Sequence, residues 1–262
     1  MTALLRLENA DGVARLTFDN PRRLNAINAE MWQALPGLLG RIAEDPEVRV
    51  LILAGEGERA FCTGNDVSEF ETIRATPEAA ARYNAWQHDV GERLRGLQKP
   101  VIAAVHGHCL GAGLEMALMS DFRVCSAQAS MGIPAVKLGL PYRLEDIETV
   151  AAVIGPACAR EMVLLGRSYS GEALLAMGLA NRVLPDRASA MSEAEALARE
   201  MTEFAPLSLA AAKVGFQELL RRSGPPDRSR AQAAADRCYA SEDYAEGRRA
   251  RAEKRPARFR GR

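Results

Sequence analysis

"VIAAVHGHCLGAGLEM", residues 101–116, is the stretch whose reading decides the fold. Its first five residues are all apolar and read as a buried strand. A Gly-rich turn follows, Gly107-His108-Cys109-Leu110-Gly111, and Ala112-Gly113-Leu114-Glu115-Met116 then opens a helix. Strand, tight turn and helix form the unit from which α/β proteins are built. The turn also poses a chemical question. "GHCLG" fits the G-x-nucleophile-x-G pattern of a hydrolase elbow, with Cys in place of Ser.

The residue inventory opposes a nucleophile. An elbow needs a His base later in the chain, yet His88, His106 and His108 all precede Cys109. A phosphate loop is opposed too, because no G-K-S or G-K-T closes the turn. In "GAGLEM" Met116 stands where a dinucleotide fingerprint has its third Gly. His106 and His108 have no carboxylate or Cys at matching spacing, so no metal site is expected. What remains is a helix start whose first N–H groups lack intrahelical partners. Such groups bind an anion or a developing oxyanion. Glu115 lies within that first turn and is either a plain core-helix residue or an acid facing the ligand.

Outward from this unit, similar elements recur. Asp11-Gly12 separates two alternating runs and marks a hairpin. Asn28 can cap a helix to about Glu44, in which Pro36 should kink or divide the chain. "VRVLILAG" (48–55) is a buried strand. After it, "AFCTGNDVSEF" (60–70) gives a second strand-turn-helix, with Asp66 or Ser68 opening the helix. Thr76-Pro77-Glu78 starts another helix, "FRVCSA" is a further strand, and helical patterns dominate from Leu144. The expectation is an α/β core over residues 1–190 and a helical C-terminal region over 191–262. "RSGPPDR" (222–228) is the clearest loop within that region.

Lys plus Arg and Asp plus Glu number 34 each, so no global charge selects nucleic acid or membrane. The end of the chain differs: residues 247–262 carry eight basic residues and one acid, Glu253. Five Cys without paired spacing suggest reduced thiols. With no signal-peptide core at the N-terminus and no apolar run of about 20 residues, a cytoplasmic protein is expected.

Three segments together resemble the crotonase, or enoyl-CoA hydratase/isomerase, family over nearly the whole chain. They are "NPRRLNAIN" (20–28), "AFCTGNDVSEF" and "KPVIAAVHGHCLGAGLEMALMSDFRV" (99–124). The resemblance implies a spiral of ββα units with a helical C-terminal trimerisation region, assembled as a trimer or dimer of trimers. It implies an acyl-CoA substrate, with coenzyme A as part of that substrate and no further cofactor. Its thioester oxygen would be held by the backbone N–H groups of Asn65 and Ala112. CoA contacts are implied at Arg23, Leu24, Ala26, Cys62, Gly64 and Asp66. Lys254 and Phe259 would approach CoA, often that of a neighbouring subunit.

Glu115 matches the first of the family's two catalytic Glu residues, but Ala135 stands where the second is expected. Glu145, Asp146 and Glu148 fall on helical positions read as solvated. "LGLPY" and the C-terminal tail resemble the methylmalonyl-CoA decarboxylase branch, which places a Tyr where Tyr142 stands. Decarboxylation forms the enolate without a base, so this branch implies decarboxylation of a malonyl-type acyl-CoA. Hydration or isomerisation with a substituted second acid is the alternative. A non-catalytic CoA- or RNA-binding relative, supported by the basic tail, is the rival of another class.

Overall fold

The computed structural model describes residues 4–220 and 227–262, so most of the loop expected at 222–228 lies outside the described residues. β1 (Leu5–Ala10) and β2 (Val13–Phe18) form the hairpin. Asp11 and Gly12 take φ of 51° and 80°, as a two-residue type I′ turn demands. Helix α1 (Ala29–Glu44) starts at Asn28, whose side chain accepts the Met31 N–H. Pro36 does not divide it: the helix runs on through the missing donor, held by buried Trp32, Leu35, Leu39 and Ile42.

The chain then winds by repetition of long strand, short strand and helix. β3 (Val50–Gly55) and β4 (Ala60–Cys62) lead into α2 (Phe70–Ile73) and α3 (Pro77–Gly96). β5 (Val101–Val105) and β6 (His108–Leu110) lead into α4 (Ala112–Leu118). β7 (Phe122–Ser126) and β8 (Ser130–Gly132) lead into α5 (Leu144–Leu165). β9 (Ser168–Tyr169), α6 (Glu172–Ala176), β10 (Arg182–Leu184) and α7 (Arg187–Thr202) follow. The C-terminal helices are α8 (Pro206–Leu219), α9 (Arg228–Tyr239) and α10 (Glu242–Glu253). The long strands make one sheet, ordered β1-β2-β3-β5-β7-β10 and parallel after the hairpin. The short strands make a second sheet, ordered β4-β6-β8-β9. This is the ββα spiral of the crotonase fold.

Parallel strands covered on both faces read as continuous apolar runs, and β3 and β5 are buried throughout. Alternate residues serve opposite faces. Leu51, Leu53, Val101, Ala103 and Val105 join the main core. Val50, Ile52, Ile102 and Ala104 meet Ala190, Ala194, Ala198 and Met201 of α7. The small residues at four-residue spacing let α7 lie close to the sheet. The boundary expected between residues 190 and 191 therefore falls inside a helix that belongs to the core. The helices beyond the sheet begin at α8, tied back by Lys213 Nζ, which donates to Asp121 Oδ2 at 2.6 Å.

A larger side chain at fully buried Ala194 has to displace the helix. Ala194→Leu is expected to cost about 2 kcal/mol by overpacking and to lower Tm by roughly 4–8 °C. Thermal unfolding followed by circular dichroism checks this, with exposed Ala188→Leu as the silent control.

Candidate active site

The second sheet brings the two Gly-rich turns together. β4 and β6 pair in parallel, with Cys62 opposite Cys109, so the loops leaving both strands emerge side by side. Gly64 has φ +87°. A Cβ there would stand 2.8 Å from the Leu110 carbonyl oxygen and 3.0 Å from the Ala112 nitrogen. At Gly113 a Cβ would run into the Cys62 carbonyl. Only glycine permits this approach.

Asn65, the residue after Gly64, is bridged in parallel to Ile27. The Ile27 N–H donates to the Gly64 oxygen at 2.7 Å, and the Asp66 N–H donates to the Ile27 oxygen at 2.9 Å. In a parallel ladder this leaves the Asn65 N–H pointing away from Ile27. Ala112 opens α4, and its N-cap Gly111 has no side chain to cover the first-turn donors. Among the described residues, neither the Asn65 N–H nor the Ala112 N–H has a protein acceptor. Two adjoining backbone donors are thus free to hold one oxygen.

The Asn65 side chain has work of its own, which the sequence reading missed. Its Oδ1 accepts from Gln87 Nε2 at 2.8 Å, Trp32 Nε1 at 3.0 Å and the Tyr83 hydroxyl at 3.3 Å. The loop is thereby fastened to α1 and α3. Asn25 performs a similar task below it. Leu24 and Asn25 both adopt left-handed backbone, with φ of 54° and 57°, and the Asn25 amide holds that turn by donating to the Glu56 and Ala60 carbonyls.

Glu115 lies half-buried on the wall of a small cleft with Ala112, Arg95, Arg143, Glu145 and Asp146. Burial pushes its carboxyl up from the ordinary 4.5 to about 7. Asp146 adds to the rise, while Tyr142, Arg143 and Arg95 oppose it. Tyr142 stands beside Glu115, and its own acidity is suppressed by burial and by that carboxylate. Its buried hydroxyl completes no hydrogen bond of ordinary geometry among the described residues. Of the acids at the start of α5 expected to be solvated, Glu145 is exposed and Asp146 is the one corrected. Asp146 is 14% exposed and grips Arg143 with both oxygens, at 2.8 and 2.9 Å, and the exposed Glu145 lines the same cleft. Ala135 packs against the core instead.

The residues expected to meet CoA are only partly gathered. Leu24 and Ala26 adjoin the Gly64 loop: the Thr63 hydroxyl donates to the Leu24 oxygen at 3.2 Å. Arg23 is exposed beside them. Asp66 is occupied in capping the next turn through the Ser68 N–H. Cys62 is wholly buried, and burial pushes its thiol up to about 12. It is a packing residue, corrected from a ligand contact. Cys109 is likewise buried and raised, while its neighbour His108 faces outward. Both facts oppose a thiolate nucleophile.

Lys254 is exposed at the end of α10, and Phe259 packs on Gly247 of that helix. The tail is latched rather than loose. Asp243 accepts the Arg260 and Gly261 N–H groups at 2.7 Å, and Glu246 pairs with Arg249 and Arg255. Arg249 and Arg255 are thereby spent within the chain, while Lys254, Arg258 and Arg260 are exposed. No helix among the described residues is long and apolar enough to cross a membrane.

A family profile described as enoyl-CoA hydratase/isomerase matches residues 8–262. The carnitinyl-CoA dehydratase of Salmonella paratyphi A is 35% identical over 220 residues, covering 81% of this chain and 80% of that one. The short-chain-enoyl-CoA hydratase of Clostridium acetobutylicum is 29% identical over 249 residues, covering 95% and 94%. An enoyl-CoA hydratase/carnithine racemase structure from Magnetospirillum magneticum superposes with TM-score 0.92 at 32% identity, covering 100% of this chain and 97% of that one. A family structure from Hyphomonas neptunium gives 0.93 at 33%, covering 100% and 99%. A crotonase fold with two adjoining free N–H groups beside an acid defines the class, that of an acyl-CoA enzyme. The chain belongs to the enoyl-CoA hydratase/isomerase family.

Two stability measurements probe this geometry. Asn65→Ala strips an acceptor from buried Trp32 and Tyr83, so a loss of about 1–3 kcal/mol is expected in urea unfolding. Glu115 binds its proton more tightly folded than unfolded, so its contribution is full below about pH 4.5 and is lost as pH rises through about 7. Stability of the unmodified protein relative to Glu115→Gln should therefore fall between about pH 5 and about pH 8.

Proposed function

We propose that this chain is a hydro-lyase that adds water to, or removes it from, the 2,3-position of an acyl-CoA thioester. The observation that carries this reading is one cleft holding Ala112, Glu115, Glu145 and Asp146. The Asn65 and Ala112 N–H groups hold the thioester oxygen as it becomes an enolate oxygen. Removing one such donor typically costs about 3–4 kcal/mol of transition-state stabilisation. Protonated Glu115 delivers the proton to the enolate carbon, and a carboxyl titrating near 7 is matched to that task. Glu145 has no ion-pair partner among the described residues, and it takes the proton from the attacking water. Asp146 is committed to Arg143 and acts by keeping Glu115 protonated. Coenzyme A enters as part of the substrate, and the chemistry requires no further cofactor.

The names of the hydratase and dehydratase relatives support this reading. Decarboxylation of a malonyl-type thioester is the second reading, favoured by Ala135 and by the Tyr142 hydroxyl, which stands beside Glu115 where a departing carboxylate would meet it. It would use the same two N–H donors and Glu115. A trimer or dimer of trimers is proposed with either reading, supported by the exposed Phe216 and Leu219 of α8.

Crotonyl-CoA hydration and methylmalonyl-CoA decarboxylation, measured on one preparation, separate the readings. Hydration is expected to dominate, to fall as pH rises through about 7, and to drop about 100-fold or more in Glu115→Gln and in Glu145→Gln. Decarboxylation alone would install the second reading, and neither activity would remove both.

A further inference from the structure

The cleft holds one strong donor that the chemistry above does not use. Arg95, in the last turn of α3, folds its guanidinium back across Gly91. A Cβ at Gly91 would lie 3.2 Å from Nη2, 3.4 Å from Met119 Cε and 3.5 Å from Nη1. The guanidinium and the Met119 methyl group therefore both lie over the bare backbone of α3 at Gly91. Nη2 donates to Glu92 Oε1 at 2.7 Å. Nη1 is buried and has no acceptor among the described residues. Arg95, Gly91, Met119 and Glu115 all line the same cleft.

Arg143, the other guanidinium on this wall, already has both Asp146 oxygens. Arg95 is thus the one of the two with a buried donor left unmet among the described residues. A buried donor without an acceptor is costly, and a planar guanidinium is suited to a carboxylate. Arg95 is close enough to Glu115 for its charge to act on that carboxyl, and both residues line one cleft. The far end of a short acyl chain whose reacting carbons lie at Glu115 would enter the part of the cleft that Arg95 lines. The flexible Met119 thioether, which lies over the same glycine, can shift to admit it.

We infer that Arg95 is a specificity-determining residue that receives a terminal carboxylate, so that the preferred substrates are short dicarboxylic acyl-CoA thioesters. This rests on the acyl-CoA reading above and narrows its substrate class. A carboxylate held at Arg95 is remote from the thioester and is kept by the reaction, unlike that of a malonyl-type group. The other charged or titratable groups facing it are Glu115, Glu145, Asp146, Arg143 and His88.

Binding of saturated, unreactive thioesters tests this apart from any turnover. Glutaryl-CoA and pentanoyl-CoA share a chain length and differ in the terminal carboxylate. Titration calorimetry on the full chain should show glutaryl-CoA binding about 10-fold tighter or more, the scale of a charge-assisted hydrogen bond. Arg95→Met, which keeps the apolar stem, should bring the ratio of the two Kd values to about one. Arg95→Lys, which keeps the charge without the fork, should retain part of it. Equal affinities in the unmodified protein, or a ratio unchanged in Arg95→Met, would overturn the inference. Failure of crotonyl-CoA hydration would instead count against the proposed reaction and leave this ratio to be read by itself.

Discussion

The contact between the Gly64 and Gly113 turns governs the rest of the site. Parallel pairing of β4 with β6 delivers both loops to the same place, and the absence of side chains lets backbone meet backbone. Two peptide N–H groups thereby adjoin without competing for a protein acceptor. Preorganised donors of this kind stabilise developing charge without reorganising when it appears. The surrounding structure serves to keep the turns in place. Asn25 pins one left-handed segment, the Asn65 amide ties its loop to two helices, and the Gly111 N–H is bound to the Gly132 oxygen at 3.0 Å.

Against this backbone frame, the electrostatics are set by α5. Its first turn carries Asp146 toward Glu115 and fastens it through Arg143. Burial and the neighbouring negative charge together hold the Glu115 proton near neutral pH. Ala135 leaves the expected second position without a carboxylate, and Glu145 supplies one on the wall of the cleft. A family site can thus lose an acid at its usual place while the cleft still contains more than one carboxylate.

Local signals were the legible part of the sequence. Asp11-Gly12, the Asn28 and Thr76 caps and the apolar runs of β3 and β5 each act within a few residues, and each formed the expected element. The Gly-rich turns and Glu115 were legible for the same reason. The roles of Asn65, Asp146 and Arg95 depend on partners outside their own segments. Asn65 is fastened by residues 18 to 33 positions away. The direction faced by the start of α5 depends on the path of the preceding loop, so helical spacing alone left Asp146 looking solvated. The tail's latch was hidden for the same reason: Asp243 and Glu246 lie on the preceding helix and meet the tail's backbone and Arg255 only when the chain turns back.

In the proposed reaction the paired N–H groups and Glu115 create and quench an enolate at the carbon next to the thioester. Proton exchange at that carbon tests it without presupposing hydration or decarboxylation. Butyryl-CoA incubated with the protein in deuterated water and followed by proton NMR reports enolate formation directly. Loss of one α-proton signal with fixed stereochemistry is expected, as is its suppression in Glu115→Gln. Exchange no faster than the spontaneous rate, or exchange undiminished in Glu115→Gln, would contradict it.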